Sequence, residues 1–151
     1  MLSDVHDKAT RSRNMAAILG ANTKPEMIVR RALHARGFRY KLHDKYLPGK
    51  PDLVFPKSNA VLFVNGCFWH GHDCPGFRWP STRAAFWRGK IKATINRDIR
   101  NRLELQNSGW RVGTVWECAL KGKHKLEPGA AIDRLTHWLA TDAKRLCLRG
   151  N

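Results

Sequence analysis

The stretch Val61–Cys74, VLFVNGCFWHGHDC, constrains this chain more than any other. An apolar run suited to a buried strand passes directly into two Cys, two His and two adjacent large aromatics. Cys67, His72 and Cys74 offer the thiolate and imidazole donors that zinc prefers, and a structural zinc site closes with four ligands. The fourth must come from elsewhere in the chain. Cys118 is the candidate, because an apolar run from Trp110 to Cys118 can lie beside the Val61–Val64 strand and bring its end to the same place. The alternative for Cys118 is a small buried hydrophobe. His70 competes with His72 for the imidazole place, but three Cys and one His already fill a closed site and leave His70 for other work. Phe68 and Trp69 stand where a strand should end and a loop should carry function.

Charge narrows the partner. The 151 residues hold 28 Lys and Arg against 12 Asp and Glu, a net charge of +16, while 42% apolar residues suffice for one globular core. An imbalance of this size opposes compactness unless a polyanion relieves it, and the phosphate backbone is the commonest polyanion. From Arg78 to Arg102 there are eight basic residues (Arg78, Arg83, Arg88, Lys90, Lys92, Arg97, Arg100, Arg102) and one acid, Asp98, which reads as a phosphate-tracking face. No run reaches the length of a membrane span, and MLSDVHDKATRSRN has no apolar stretch of a secretory signal. Cys147 has no ligand-like neighbour and reads as a free thiol. His6, His34, His43, His124 and His137 are isolated and read as surface or core histidines.

The pattern of elements predicts a mobile basic arm over residues 1–22, with Arg11, Arg13, Met15 and Ile18 suited to ordering on a partner, and a single domain over 23–151. A helix should start near Pro25, with Thr23 or Lys24 as its cap and Thr23 the better chemically, and stop before Gly37. Phe38, Tyr40 and Leu42 alternate as a strand. After the LPGKP turn, Asp52–Phe55 and Ala60–Val64 read as an interior hairpin. A long helix from about Ser81 to Asn107 should bury Trp87, Ile91, Ile95, Ile99 and Leu103. Trp110–Cys118 should be a strand with Trp110, Val112, Thr114 and Trp116 on one side, and 128–140 a last helix with Ile132, Leu135 and Leu139 inward. The order predicts an α/β sandwich around a mixed sheet.

Asp52 opens an apolar strand, and an antiparallel neighbour should bring it near Asn65 and His70; Glu26 could add a second carboxylate. Hydrolysis of a phosphodiester needs a hard cation to polarise the phosphoryl oxygen and a base for the water. Carboxylates at a strand edge suit the first, and an imidazole titrating near neutrality suits the second.

Taken together, DVHDKATRSRNM (4–15), LPGKPDLVF (47–55), GCFWHGHDC (66–74), TRAAFW (82–87) and GWRVGTVWECAL (109–120) closely resemble the very-short-patch-repair (Vsr) DNA mismatch endonucleases, in that family's order and over nearly the whole chain. The resemblance implies a restriction-endonuclease-like α/β core, a mixed sheet flanked by helices with a structural zinc site. It implies an endonuclease that nicks duplex DNA 5′ to the T of a T:G mismatch, the product of 5-methylcytosine deamination. By position, Asp52 matches the Mg²⁺-binding carboxylate, with a backbone carbonyl at Val64 as a further ligand. His70 matches the histidine that activates the attacking water, and Glu26 an acid that helps order waters around the cation. Cys67, His72, Cys74 and Cys118 match the structural Zn²⁺ ligands. Phe68, Trp69 and Trp87 match an aromatic wedge entering from the major groove, Met15 an arm residue inserted from the minor groove, and Lys90 a residue that reads the mismatch. The implied setting is a monomer on bacterial cytoplasmic, nucleoid DNA, with mismatch-repair proteins as candidate partners.

Two positions depart from the family pattern. Asn65 stands where some relatives have His; it cannot act as a base, so the burden falls on His70. Thr94, one turn after Lys90, stands where the family is associated with Asn. Two other functions compete with the reading: a restriction-like nuclease of different specificity, and a non-catalytic zinc-stapled protein that only binds DNA.

Overall fold

The computed structural model describes residues 21–151. Arg11, Arg13 and Met15, with almost all of the arm expected over 1–22, lie outside the described residues. Helix α1 (Lys24–Ala35) starts where Pro25 and Thr23 predict: the Thr23 side chain accepts a hydrogen bond from the Glu26 N–H. Five strands follow in sequence and in space: β1 (Lys41–Leu42), β2 (Leu53–Phe55), β3 (Ala60–Asn65), β4 (Arg111–Trp116) and β5 (Arg145–Leu148). The first three pair antiparallel, and β3–β4 and β4–β5 pair parallel, so the sheet is mixed. The β2–β3 hairpin turns through Pro56–Ser58 and Asn59, whose φ of 52° is left-handed, a conformation Asn tolerates. Helix α2 (Ala84–Asn107) crosses over from β3 to β4. A short α3 (Glu117–Leu120) and α4 (Pro128–Ala140) connect β4 to β5.

Period-two alternation divides the core between the two faces of the sheet. Leu53, Phe55, Ala60, Leu62, Val64 and Val115 pack with Val29 and Leu33 of α1 and with Ile132, Leu135, Trp138 and Leu139 of α4. Val54, Val61 and Val112 pack with Leu105 of α2, joined by Phe63 and Trp110. Gly113 of β4 is a close-approach position: a Cβ there would lie 2.9 Å from the Trp138 ring and 3.0 Å from Leu62. No described helix is long and apolar enough to cross a membrane.

The structure departs from expectation in five places. The aromatics of the Phe38–Leu42 run precede the ladder, packing Phe38 and Tyr40 edge-on against Phe55, and only Lys41–Leu42 pair. Helix α2 begins at Ala84, three residues after Ser81, behind Arg83 in a left-handed conformation. Its stripe is only partly core: Ile91 is buried, but Ile99 is 44% and Leu103 54% exposed, because one small cluster on this face has only Leu105 to receive. β4 stops at Trp116, so Cys118 rides on α3. β5, which carries Cys147, has no counterpart in the predicted order. It is a four-residue edge strand with only Leu148 fully buried, and its pairing with β4 is a long-range contact that leaves no local pattern.

Candidate active site

An acidic centre forms where α1 meets the antiparallel strands. Asp52 precedes β2, and its Oδ2 accepts a 2.7 Å hydrogen bond from the Val64 N–H of β3. Glu26 lies in the first turn of α1. Its Oε1 accepts from the Asn22 N–H at 3.3 Å, and its Oε2 pairs with Arg30 Nη1 at 3.1 Å. Both carboxylates are buried. Burial pushes the Asp52 carboxyl up to about 8; the Glu26 charge adds to the shift, while the Val64 N–H and Lys50 oppose it. A buried carboxylate held this way is stabilised by a cation.

The third member is His43, read from sequence as isolated and corrected here. Its Nε2 lies 2.9 Å from both Glu26 oxygens and 4.0 Å from Asp52 Oδ1. The donor atoms of Glu26, His43 and Asp52 all fall within 4.8 Å of one another, a donor set that fits a divalent cation. A cation bound there supplies Lewis-acid polarisation of a phosphoryl oxygen.

His70 belongs to a loop that folds back after β3. The His70 N–H donates to the Gly66 carbonyl and the His72 N–H to the Cys67 carbonyl. At Gly71, φ is 59° and a Cβ would meet Ile91 and Ile95 at 2.6 and 2.7 Å, so only glycine lets this loop lie on α2. That contact delivers His70 Nδ1 to Asp98 Oδ2 at 2.6 Å. A carboxylate on Nδ1 favours the Nδ1–H tautomer and leaves Nε2 as the acceptor. Asp98 also lines a small crevice with Asn65, Phe63 and Thr114. Asn65 is buried at the end of β3.

The Cys/His knot assembles as its spacing predicts. His72 Nδ1 lies 3.5 Å from Cys67 Sγ and 3.6 Å from Cys118 Sγ, and with Cys74 the four donors fall within 4.8 Å of one another. Zinc bonds of ~2.3 Å to sulfur and ~2.1 Å to nitrogen set tetrahedral S···N edges at ~3.6 Å, so the knot fits a metal of that kind. The His72 ring stacks on Trp116 at 3.9 Å with a 2° interplanar angle. Burial, reinforced by Arg149, pulls the His72 imidazole below its usual value, which favours the neutral, ligating form. Burial pushes the Cys67 thiol up, so its thiolate needs a positive partner. The Gly150 N–H donates to Cys118 Sγ at 3.3 Å, and Arg149 pairs with Asp73 at 2.8 Å, so the residues after β5 close over the knot.

Between the knot and α2 lies an aromatic cluster. The Phe68 ring is 5.2 Å from Trp69 and 5.3 Å from Trp87, and Trp69 is 5.8 Å from Trp87. Phe77, Trp79 and Phe86 extend it. Trp69, Trp79 and Phe86 remain 40 to 46% exposed, an apolar surface that marks an interaction site. Arg83 and Arg88 lie over the Phe86 and Trp79 rings. Lys90 is exposed on α2. The Thr94 hydroxyl donates back to the Lys90 carbonyl at 3.1 Å, so it is engaged within the helix.

The fold thus brings together Asp52, Val64 and Glu26, and separately His70 with Asp98, and separately the four knot residues. Sequence reasoning missed His43, Asp98 as the partner of His70, and Phe77, Trp79 and Phe86. Asp98 carried a signal, as the only acid in a run of eight bases. His43 carried none.

The family model described as DNA mismatch endonuclease Vsr matches residues 3–76. The chain is 46% identical over 138 residues to the DNA mismatch endonuclease Vsr of Escherichia coli (strain K12), covering 91% of this chain and 88% of that protein. It is 48% identical to the type II nicking enzyme V.XorIIP of Xanthomonas oryzae pv. oryzae, over 75% of this chain and 83% of that one. It is 43% identical to the type II nicking enzyme V.NmeAIP of Neisseria meningitidis serogroup A, over 81% and 87%. With a relative 46% identical over 91% of its length, this chain belongs to the Vsr family of DNA mismatch endonucleases.

Proposed function

We propose that this protein nicks duplex DNA 5′ to the T of a T:G mismatch and so starts very short patch repair. The observation that carries the reading is the pairing of two chemical elements in one fold: a buried Asp52 tied to Val64, and a His70 whose ring is oriented by Asp98. Asp52 and the Val64 carbonyl would hold Mg²⁺, which when bound would supply Lewis-acid polarisation of the scissile phosphoryl group. Glu26, with both oxygens already engaged, acts as a positioning residue for this centre. His70 Nε2 takes the proton of the attacking water, and Asp98 stabilises the imidazolium that results. The water oxygen bonds to phosphorus as the P–O bond to the leaving strand breaks. Asn65, adjacent to Asp98 in the crevice, orients by hydrogen bonding and takes no proton.

Cys67, His72, Cys74 and Cys118 would hold a structural Zn²⁺, and these four residues would thereby pin the loop carrying Phe68, Trp69 and His70. Phe68, Trp69 and Trp87 form a wedge into the duplex, and Lys90 contacts the mismatch. Inserted apolar groups unstack a base step at a cost of a few kcal/mol, and a wobble pair is cheaper to open than a matched one. Discrimination then follows from deformability. Arg11, Arg13 and Met15 would add contacts from the opposite groove. The exposed bases of α2 supply sequence-independent affinity. The protein acts as a monomer on nucleoid DNA.

Strand-resolved nicking of one duplex with T:G, against the same duplex with T:A, tests the reading with Mg²⁺ and with chelator. One Mg²⁺-dependent nick 5′ to the mispaired T is the expected result. Equal cutting of both duplexes would assign a nuclease of other specificity. Tight binding without cutting in any flanking context would leave a DNA-binding protein.

A further inference from the structure

We infer that His43 is a direct ligand of the cation at Asp52, and that this imidazole makes the centre prefer Mn²⁺ to Mg²⁺. The inference deepens the proposed function and rests on its placement of a cation at Asp52. His43 Nε2 stands 2.9 Å from both Glu26 oxygens and 4.0 Å from Asp52 Oδ1. A six-coordinate cation with bonds of ~2.1 Å keeps neighbouring donors ~3 Å apart and opposite donors ~4.2 Å apart. The 4.0 Å between His43 Nε2 and Asp52 Oδ1 therefore suits an ion bound between the imidazole and the Asp52 carboxylate, with Glu26 holding the ring through its hydrogen bonds.

The backbone holds the imidazole in place. The His43 N–H donates to the Asp52 carbonyl at 3.1 Å, and His43 directly follows β1, whose Leu42 pairs with Leu53. Its φ of 47° is left-handed, an uncommon conformation for a residue with a side chain, so the chain pays strain to aim this ring. Glu26 and Asp52 are buried, whereas His43 is half-buried, so an ion can reach the donors from solvent. The Asn22 N–H engages Glu26 Oε1 and Arg30 engages Oε2, so Glu26 steadies the centre and the donors facing the ion are His43 Nε2 and Asp52 Oδ1. Mg²⁺ is selective for oxygen and dehydrates reluctantly; Mn²⁺ accepts carboxylate and imidazole together.

The test uses the full chain, loaded with Zn²⁺ and then freed of other cations, titrated with Mn²⁺ without DNA. Bound Mn²⁺ is followed by electron paramagnetic resonance, and nitrogen coupling is compared between natural-abundance and ¹⁵N-histidine protein. Wild type should bind one Mn²⁺ with histidine nitrogen coupling that persists in H70A. The variants His43→Asn and His43→Gly suit a left-handed backbone. They should lose the coupling and ~10–100-fold in Mn²⁺ affinity. Mg²⁺ affinity, read by competition, should change less, and the ratio of Mn²⁺- to Mg²⁺-supported nicking should fall. Wild-type Mn²⁺ without histidine coupling overturns the inference whatever the variants do. Coupling or affinity retained in both folded variants also overturns it. Asp52→Asn separates the two claims. If it abolishes nicking while the His43 variants bind Mn²⁺ as wild type does, only the His43 assignment fails. If it nicks normally, the proposed site itself fails.

Discussion

The Cys/His knot and the acidic centre are both compact donor sets, yet they are built in opposite ways. Three of the four knot donors fall between Cys67 and Cys74, and one loop with its backbone hydrogen bonds shapes them. The acidic centre takes Glu26 from α1, His43 from the end of β1 and Asp52 from the start of β2. The knot is a local chelate that one distant residue closes. The centre exists only once a helix and an antiparallel ladder have docked. The knot should therefore govern folding and loop position, and the centre should govern chemistry.

The sharpest way to break this division is Asp52→Asn. Losing the carboxylate proposed to hold the cation should lower nicking ~1,000-fold, equivalent to ~4 kcal/mol, while DNA binding and metal content of the knot persist. Nicking at the wild-type rate would place the chemistry elsewhere. Next in size is Cys118→Ala, because a structural zinc held by the knot would contribute directly to folding. Zinc content should drop and stability fall by ~3 kcal/mol, about 10 °C in Tm for a chain of this size. Full zinc occupancy with unchanged melting would remove Cys118 from the knot.

Asp98→Asn tests whether the two regions communicate through His70. Loss of the 2.6 Å carboxylate contact should lower kcat ~10–100-fold with little change in KM, and should shift the pH profile of kcat. A unchanged profile would make Asp98 a helix-surface residue only. Smallest is Trp69→Ala. Removing one stacking ring should cost ~1–3 kcal/mol on the mismatched duplex and less on the matched one. Equal losses on T:G and T:A would count against a wedge.

How legible each region was follows from the distance between its parts. Thr23 and Pro25 announced the start of α1, because a capping side chain and a proline both suit a helix N-terminus within one turn. The β2–β3 hairpin and the inward face of α4 were readable from period-two and helical repeats. The grouping of Trp110 and Val112 on one side of this strand was also readable, with Val112 in the core beside Leu105 and Trp110 against it. The stripe of α2 misled because periodicity reports which residues share a face and not how much sheet lies opposite them. β5 escaped because an edge strand of four residues has too few buried positions to show a period.

The sequence alone determined the donor chemistry: thiolates and an imidazole at chelating spacing, a carboxylate heading an apolar strand, and a basic surface suited to a phosphate backbone. These depend on residue type and near-neighbour spacing, which the chain carries before it folds. Only tertiary structure decided that His43 faces Glu26 and Asp52, that Asp98 orients His70, and that six aromatics form one surface. Each of those contacts joins elements through strand register, helix docking or the close approach at Gly71. Such long-range contacts are set by how the layers pack, and no local pattern encodes them.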